Sequence, residues 1–142
     1  MVRQLKHKDI PTLERILEIQ RAAAREESRS SLKETLKDLQ RTRDAIFIDE
    51  DRGMVTGALF LEEKCGSYLI SKLFVDPERS RQGVGKSLVK AVLKEVAGSR
   101  LRVYMSEAND PAVRLFESLG FEITHTLEAK RGLGLVGLER QA

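Results

Sequence analysis

The sequence contains few of the residues that stabilise small extracellular or metal-dependent proteins. Its 142 residues include one cysteine, Cys65, and two histidines, His7 and His125. A single cysteine cannot form an internal disulfide, and this set is too small for a metal site built from histidine and cysteine. We therefore expect no bound metal, and the reducing cytoplasm as the compartment.

Long apolar runs and aromatic clusters are missing as well. No apolar run approaches the roughly 18 residues that span a bilayer, and the first residues lack the apolar stretch of a secretory signal. Aromatic residues make up 5% of the chain, none lies in a basic stripe, and the net charge is only +3. Neither a membrane nor a nucleic acid is therefore expected as a partner, whereas a homodimer remains an open expectation.

What the chain does contain is a globular composition, 41% hydrophobic and 33% charged. This length and composition predict a single domain, residues 1–142, whose core needs no cross-link. Hydrophobic periodicity predicts the order β-α-α-β-β-β-α-β-α-β-β. The predicted fold class is α/β (α+β), a mixed but mostly antiparallel sheet of about six or seven strands flanked by about four helices.

Several polar and glycine residues predict where helices begin and end. Asp9 is a typical N-cap for the first helix, and the charged stretch from Ala22 to Ser30 predicts that this helix frays or turns there. Ser31 and Glu34 form the pattern of a capping box at the start of a second helix.

The strongest chemical signal is a glycine-containing loop before the third predicted helix. A strand ends at Val75, and Gln82-Gly83-Val84-Gly85-Lys86-Ser87 leads directly into that helix. Glycines let the backbone approach a ligand, and the first amides of a helix have no acceptor within it. These donors and the helix dipole favour a phosphate, to which Arg81 and Lys86 add charge. A tight turn without a ligand is the alternative.

Two other glycine patterns compete with this interpretation. Residues 80–87 resemble a nucleotide-binding P-loop with Ser80 in place of its first glycine, but the chain beyond is too short for the parallel sheet of such enzymes. Residues 132–137 match the dinucleotide-binding pattern G-x-G-x-x-G, but no helix pattern follows them. Their glycines predict instead a bulged or closely packed last strand.

Two motifs together resemble a known enzyme family. Val75-Asp76-Pro77-Glu78 followed by Gln82-Gly83-Val84-Gly85 is similar to the acetyl-CoA loop of the GNAT N-acetyltransferases. Residues 109–121 are similar to that family's second signature, N-x-x-A-x-x-L-Y-x-x-x-G-F. The resemblance covers residues 68–121 in detail and the element order of nearly the whole chain. It implies transfer of an acetyl group from acetyl-CoA, the co-substrate, to a primary amine.

The resemblance also implies a role for individual residues. The backbone amides from Arg81 to Lys86 hold the pyrophosphate, and the backbone of Phe74 and Val75 pairs with the pantetheine arm where two strands splay apart. Asn109, the lone asparagine, hydrogen-bonds the pantetheine or, alternatively, caps a helix. The residues expected at the coenzyme are Phe74, Val75, Arg81, Gln82, Gly83, Val84, Gly85, Lys86, Ser87, Asn109 and Phe116.

Two positions depart from the family pattern. Ser80 stands where relatives usually carry Arg or Gln, and Phe116 replaces the tyrosine that commonly serves as general acid. A general acid is worth about 10²–10⁴-fold, although a thiolate with a pKa of about 8.5 leaves tolerably without one. Tyr104 either supplies the missing hydroxyl, as a catalytic residue, or packs as an ordinary strand aromatic. Candidate bases acting through water are Glu62, Glu63 and Glu107.

The missing base bears on the acceptor. At pH 7, deprotonating a lysine with a pKa of about 10.4 costs about 4.6 kcal/mol, whereas an α-amine with a pKa of about 7.8 costs about 1.1 kcal/mol. The α-amine of a protein N-terminus or of a small molecule is therefore favoured over lysine. Two alternatives remain: a non-catalytic domain that senses acyl-CoA, and a nucleotide-binding enzyme of the P-loop type.

Overall fold

The computed structural model describes residues 1–26, 34–129 and 133–142. The predicted order of strands and helices is confirmed. In chain order the elements are β1 (Val2–Gln4), α1 (Ile10–Glu26), α2 (Leu36–Arg41), β2 (Ala45–Asp51), β3 (Met54–Lys64), β4 (Ser67–Val75), a short 3-10 helix (Pro77–Arg79), α3 (Val84–Glu95), β5 (Arg100–Ser106), α4 (Asp110–Ser118), β6 (Glu122–Ala129) and β7 (Leu133–Gln141).

The seven strands form one sheet with the order β1-β2-β3-β4-β5-β7-β6. Every neighbouring pair is antiparallel except β4 and β5, which run parallel. The fold class predicted from the sequence is therefore confirmed. A single parallel pair is not the parallel sheet that a P-loop enzyme builds from its βαβ units, so that alternative does not hold.

Helices cover both faces of the sheet, and the alternation of side chains along the strands divides the core between them. In β3, Leu59 packs on the face covered by α3 and α4, whereas Phe60 packs on the face covered by α1 and α2. Residues fully buried on one face or the other include Leu13, Ile16, Leu39, Leu88, Val92 and Leu138.

The first helix begins as predicted, and its last described residue lies inside the stretch from Ala22 to Ser30 where it was expected to fray or turn. The Asp9 carboxylate accepts hydrogen bonds from the backbone N–H and the hydroxyl of Thr12, so it caps α1. The helix does not fray at Ala22 but continues to Glu26. Ala24, only 5% exposed, extends the apolar side of the helix, and alanine is the strongest helix former.

The second helix begins later than the sequence pattern indicated. Ser31 lies outside the described residues, and Glu34 precedes the helix, where it binds Gln20 and Lys72. The capping box is formed instead by Thr35 and Asp38, whose side chains each accept from the other's backbone N–H.

The glycines near the end of the chain are explained by close packing. A Cβ atom on Gly134 would lie 2.6 Å from the Glu107 carboxyl carbon, and one on Gly137 would lie 2.6 Å from the His125 ring. The predicted close packing of the last strand is therefore present, but the bulge lies in the neighbouring β6, where Thr124 is the extra residue. Gly132 lies outside the described residues.

Within the described part of the chain, no helix combines the length and the apolar character needed to cross a bilayer.

Candidate active site

The sheet opens between its two parallel strands. β4 and β5 pair only at Tyr68–Leu101, Leu69–Arg102 and Ile70–Val103. Beyond these pairs β4 bulges at Ser71, because Phe60 and Leu61 of β3 pair with Lys72 and Ile70. The bulge bends β4, and residues 71–75 have no strand partner on their β5 side among the described residues. At about 3.3 Å a residue, this gap is about 16 Å long.

The direction of the β4 backbone decides which groups line the gap. The Asp76 N–H donates to the Thr56 carbonyl, and the Phe74 carbonyl oxygen lies 2.9 Å from where a Cβ of Gly57 would be. Both groups therefore point toward β3. Because backbone groups alternate along a strand, Leu73 and Val75 direct their N–H and C=O groups into the gap.

This alternation changes the expected site in one respect. Val75 has the orientation expected of it, but the Phe74 backbone faces β3 and its ring packs in the core under α1. Leu73 lies where sequence reasoning placed Phe74. The two-residue period of a strand could have predicted this, because Leu73 and Val75 are two residues apart and therefore share a backbone orientation.

The loop after the gap presents unpaired amides. Arg81 and Gly83 both have left-handed backbone conformations, with φ of +65° and +78°. Gly83 precedes α3 without a side-chain cap, and the Ser87 N–H makes the first bond back into the helix, 3.0 Å from the Gly83 carbonyl. The amides of residues 84–86 therefore have no acceptor within α3, as expected for an anion site.

The basic residues around the loop divide into two groups. Arg79 donates to the Asp51 carboxylate at 2.6 Å, and this hydrogen bond lowers the pKa of Asp51. Arg81 and Lys86 are exposed, and neither makes an ion pair with another described residue. These two cations are thus available to a bound anion.

Asp76 anchors the loop to the first helix. Its carboxylate accepts from the Arg15 guanidinium at 2.7 Å and from the Glu78 N–H at 3.0 Å, and the residue is only 9% exposed. Arg15 also donates to the Val55 carbonyl. One carboxylate thus fixes both the end of β4 and the start of the loop.

The Asp76→Ala variant is expected to lose about 2 kcal/mol of unfolding free energy, because it removes two hydrogen bonds, one of them to a charged group. Glu18→Ala is the matched control, since Glu18 is the second carboxylate near Arg15 but is exposed and 3.6 Å away. It should cost less than about 0.5 kcal/mol. Urea unfolding of both variants checks this, and equal losses would contradict the anchoring role.

Tyr104 is the first residue of β5 beyond the last pair with β4, so it lies at the inner end of the gap. It is 36% exposed, and its hydroxyl lies 3.2 Å from His125 Nε2. Phe116 is 2% exposed and packs edge-on against Phe121, with ring centroids 5.1 Å apart. Of these two positions, only Tyr104 offers a hydroxyl near the gap.

Asn109 caps α4. Its Oδ1 accepts from the Ala112 N–H at 3.4 Å, which is the alternative that the sequence left open. Its contact with the pantetheine therefore stays a prediction. Because Oδ1 is used by the cap, the side-chain nitrogen Nδ2 would make that contact.

The three candidate carboxylate bases are dispersed. Glu62 and Glu63 pair with Leu69 and Tyr68, at the closed end of the β4–β5 pair. The negative charge of Glu63 raises the pKa of Tyr68. Glu107 follows β5 and lies against Gly134 on β7. Glu62 and Glu63 thus lie next to the paired part of β4, away from the open gap.

These features define an elongated site. It has amides without an acceptor in α3 at one end, unpaired backbone groups along a strand, and a phenol at the other end. The profile of the acetyltransferase (GNAT) domain matches residues 42–123, more than half of the sequence. The chain belongs to the GNAT acetyltransferase family.

Two curated proteins are similar to this chain, and one of them is named an acetyltransferase. The chain is 28% identical over 141 residues to the UPF0157 protein YqkA of Bacillus subtilis, covering 94% of this chain and 41% of that protein. It is 38% identical over 73 residues to the mycothiol acetyltransferase of Clavibacter sepedonicus, covering 45% of this chain and 24% of that enzyme. The chain thus spans less than half the length of either relative.

Solved structures share the fold across the whole chain. The ribosomal-protein-S18-alanine N-acetyltransferase of Escherichia coli has a TM-score of 0.78 at 19% identity, covering 98% of this chain and 91% of that one. The aminoglycoside 6'-N-acetyltransferase of Enterococcus faecium has a TM-score of 0.80 at 14% identity, with 99% and 96% covered. The putative acetyltransferase yncA of Salmonella typhimurium, solved with acetyl-CoA, has a TM-score of 0.79 at 19% identity, with 99% and 92% covered.

Proposed function

We propose that this chain transfers an acetyl group from acetyl-CoA to a primary amine by direct attack within a ternary complex. Residues 1–142 form the catalytic domain in this proposal. The observation that carries it is the unpaired edge of β4, which runs from the amides of α3 to the hydroxyl of Tyr104. A relative of the same fold was solved with acetyl-CoA, which supports the choice of ligand.

The coenzyme fits this site in three places. The amides of residues 84–86, with Arg81 and Lys86, hold the diphosphate. The backbone of Leu73 and Val75 pairs with the amides of the pantetheine arm as a strand would. Gly83 has no atom within 4 Å of where a Cβ would be, so the loop leaves space for the phosphates beside its backbone.

The chemistry follows from the position of the thioester. The acceptor nitrogen attacks the acetyl carbonyl carbon, the new C–N bond forms, and the C–S bond breaks with its electron pair going to sulfur. Backbone N–H groups at the inner end of the gap polarise the carbonyl. Tyr104 supplies the hydroxyl that Phe116 lacks. Cys65 lies in the exposed turn between β3 and β4, so no acyl-enzyme is involved.

The acceptor is an amine that is partly neutral near pH 7, an α-amine or a small molecule of low pKa. Glu62 and Glu63 lie at the closed end of the β4–β5 pair, away from the gap, and an α-amine saves about 3.5 kcal/mol of deprotonation relative to lysine. One relative of the same fold is named for acetylating an alanine of a ribosomal protein and another for an aminoglycoside amine. Amine acceptors of both kinds therefore belong in the test.

Two measurements test the proposal. Calorimetry with acetyl-CoA, CoA and ATP should show binding of the first two only. Thiol release should then be compared for a peptide with a free N-terminus and no lysine, the N-acetylated peptide with one lysine, and small primary amines. We expect the free N-terminus or the small amines to be preferred. Preference for the lysine peptide would contradict the acceptor class, and coenzyme binding without any turnover would identify an acyl-CoA sensor.

A further inference from the structure

His125 Nε2 lies within hydrogen-bond distance of the Tyr104 hydroxyl, and neither composition nor motif assigned this histidine a role. The two residues lie on β5 and β6, which are separated by β7, so they meet across an intervening strand. The register places Tyr104 opposite Gly137 and Gly137 opposite His125. The rings lie edge-on with centroids 5.3 Å apart.

Gly137 makes this contact possible. A Cβ at this position would lie 2.6 Å from His125 Cε1, 2.7 Å from His125 Nε2 and 2.9 Å from Tyr104 Cε1, distances that real Cβ atoms essentially never show. Any other residue would therefore separate the two rings. Gly137 of the glycine-rich last strand therefore has a packing role.

Three contacts around the His125 ring bear on its tautomer. The Thr124 hydroxyl lies 3.0 Å from His125 Nδ1 and 3.4 Å from the Gly137 carbonyl, and the Tyr104 hydroxyl lies 3.2 Å from His125 Nε2. If the Thr124 hydroxyl donates to the Gly137 carbonyl, its oxygen accepts from Nδ1–H, and Nε2 is then the unprotonated nitrogen that accepts from the Tyr104 hydroxyl. The bulge at Thr124 allows this, because it brings the threonine and the histidine to the same strand position.

We propose that Tyr104 and His125 form a proton relay for the acetyl transfer, an inference that rests on the proposed function. As the amine attacks, its surplus proton passes to the Tyr104 oxygen while the phenolic proton passes to His125 Nε2. The imidazolium returns that proton through Tyr104 to the departing thiolate. The products are the amide, free CoA and the starting form of the enzyme. His125 is a positioning residue in this scheme, because it acts through Tyr104.

The location of the pair supports a role in the reaction. Tyr104 lies at the inner end of the gap, where the thioester ends in the proposed complex. α1 packs on β3 and β4, and Tyr104 is 36% exposed. An acceptor amine can therefore reach the phenol from solvent. Imidazole is a common proton acceptor in enzyme sites, which suits His125 to take the phenolic proton.

Kinetics of matched variants test the relay. Tyr104→Phe and His125→Gln should each lower kcat about 10²-fold with little change in the Kd for acetyl-CoA, and the double variant should lose no more than either single one. Thr126→Ala, an exposed neighbour on the opposite face of β6, should behave as the parent chain. Imidazole in solution should restore part of the activity of His125→Ala. Parent-like kcat for His125→Gln, or no restoration by imidazole, would overturn the relay.

The tautomer can be tested without turnover. The chain has only two histidines, so ¹⁵N-histidine labelling gives two sets of signals, and those of His7 are identified by their loss in His7→Gln. At neutral pH, Nδ1 of His125 should carry the proton and Nε2 should not, and Thr124→Val should abolish this preference. A proton on Nε2 in the parent chain would overturn the relay even if the acetyl transfer is confirmed. Absence of turnover with every amine, together with the expected tautomer, would contradict the proposed function and leave the hydrogen-bond assignment supported.

Discussion

The Gly85→Glu variant is expected to bind acetyl-CoA about 10³-fold more weakly than the parent chain. Gly85 contributes one of the unpaired amides at the start of α3, so in the proposed complex a carboxylate at this position would lie beside the diphosphate. Two like charges at about 4 Å with an effective dielectric constant of about 20 repel by about 4 kcal/mol, which corresponds to about 10³-fold in Kd. Calorimetry gives the Kd directly.

The substitution should leave the fold intact, which makes the result interpretable. A Cβ on Gly85 would lie 3.4 Å from Leu115 and 3.7 Å from Val75, which is ordinary contact, and glutamate is a better helix former than glycine. Lys90→Ala is the control, because it lowers the net charge by the same single unit at an exposed position further along α3. A loss below about tenfold in Gly85→Glu, or an equal loss in Lys90→Ala, would mean that the phosphates lie elsewhere.

Much of the fold could be predicted because its signals are local. Asp9 precedes an apolar helical repeat and so indicates where the first helix begins. Gly53 and Gly66 lie between runs of alternating apolar residues and so indicate where strands end, to within a few residues. The phosphate loop could be predicted for the same reason, since the strand, the glycines and the helix are contiguous. The predicted start of α2 was wrong because two capping-box patterns, Ser31–Glu34 and Thr35–Asp38, follow each other four residues apart. The sequence pattern alone does not choose between them.

The inner end of the site could not be predicted because it depends on strand order. Tyr104 meets His125 only because β7 lies between β5 and β6, and nothing in the local pattern of residues 100–141 states which of these strands is central. The bulges at Ser71 and Thr124 likewise have no recognisable sequence pattern. Each shifts the register by one residue and so changes which backbone or side-chain groups face the site. Val75 was therefore predictable as a strand end, whereas the role of Leu73 required the register.

The second large effect is expected at Gly57, where β3 supports the start of α3. A Cβ there would lie 2.8 Å from Val84 Cγ1, 2.9 Å from the Phe74 carbonyl oxygen and 3.3 Å from Leu88 Cδ1. The carbonyl oxygen belongs to the adjacent paired strand and cannot move away cheaply. We expect Gly57→Val to lower the unfolding free energy by about 3 kcal/mol and Gly57→Ala by a smaller amount. Urea unfolding monitored by circular dichroism measures both.

Gly53→Ala separates steric overlap from backbone conformation. Gly53 has a φ of +81° with nothing within 4 Å of its Cβ position, so alanine there meets only conformational strain of about 1 kcal/mol. At Gly57 the backbone has an ordinary strand conformation, but neighbouring atoms occupy the space that a Cβ would need. A substitution there therefore meets steric overlap and no backbone strain. If Gly57→Val were no more destabilising than Gly53→Ala, α3 would not rest on β3 at this point. Its first-turn amides would then lack the support that holds them at the end of the gap, and the position assigned to the diphosphate would lose its structural basis.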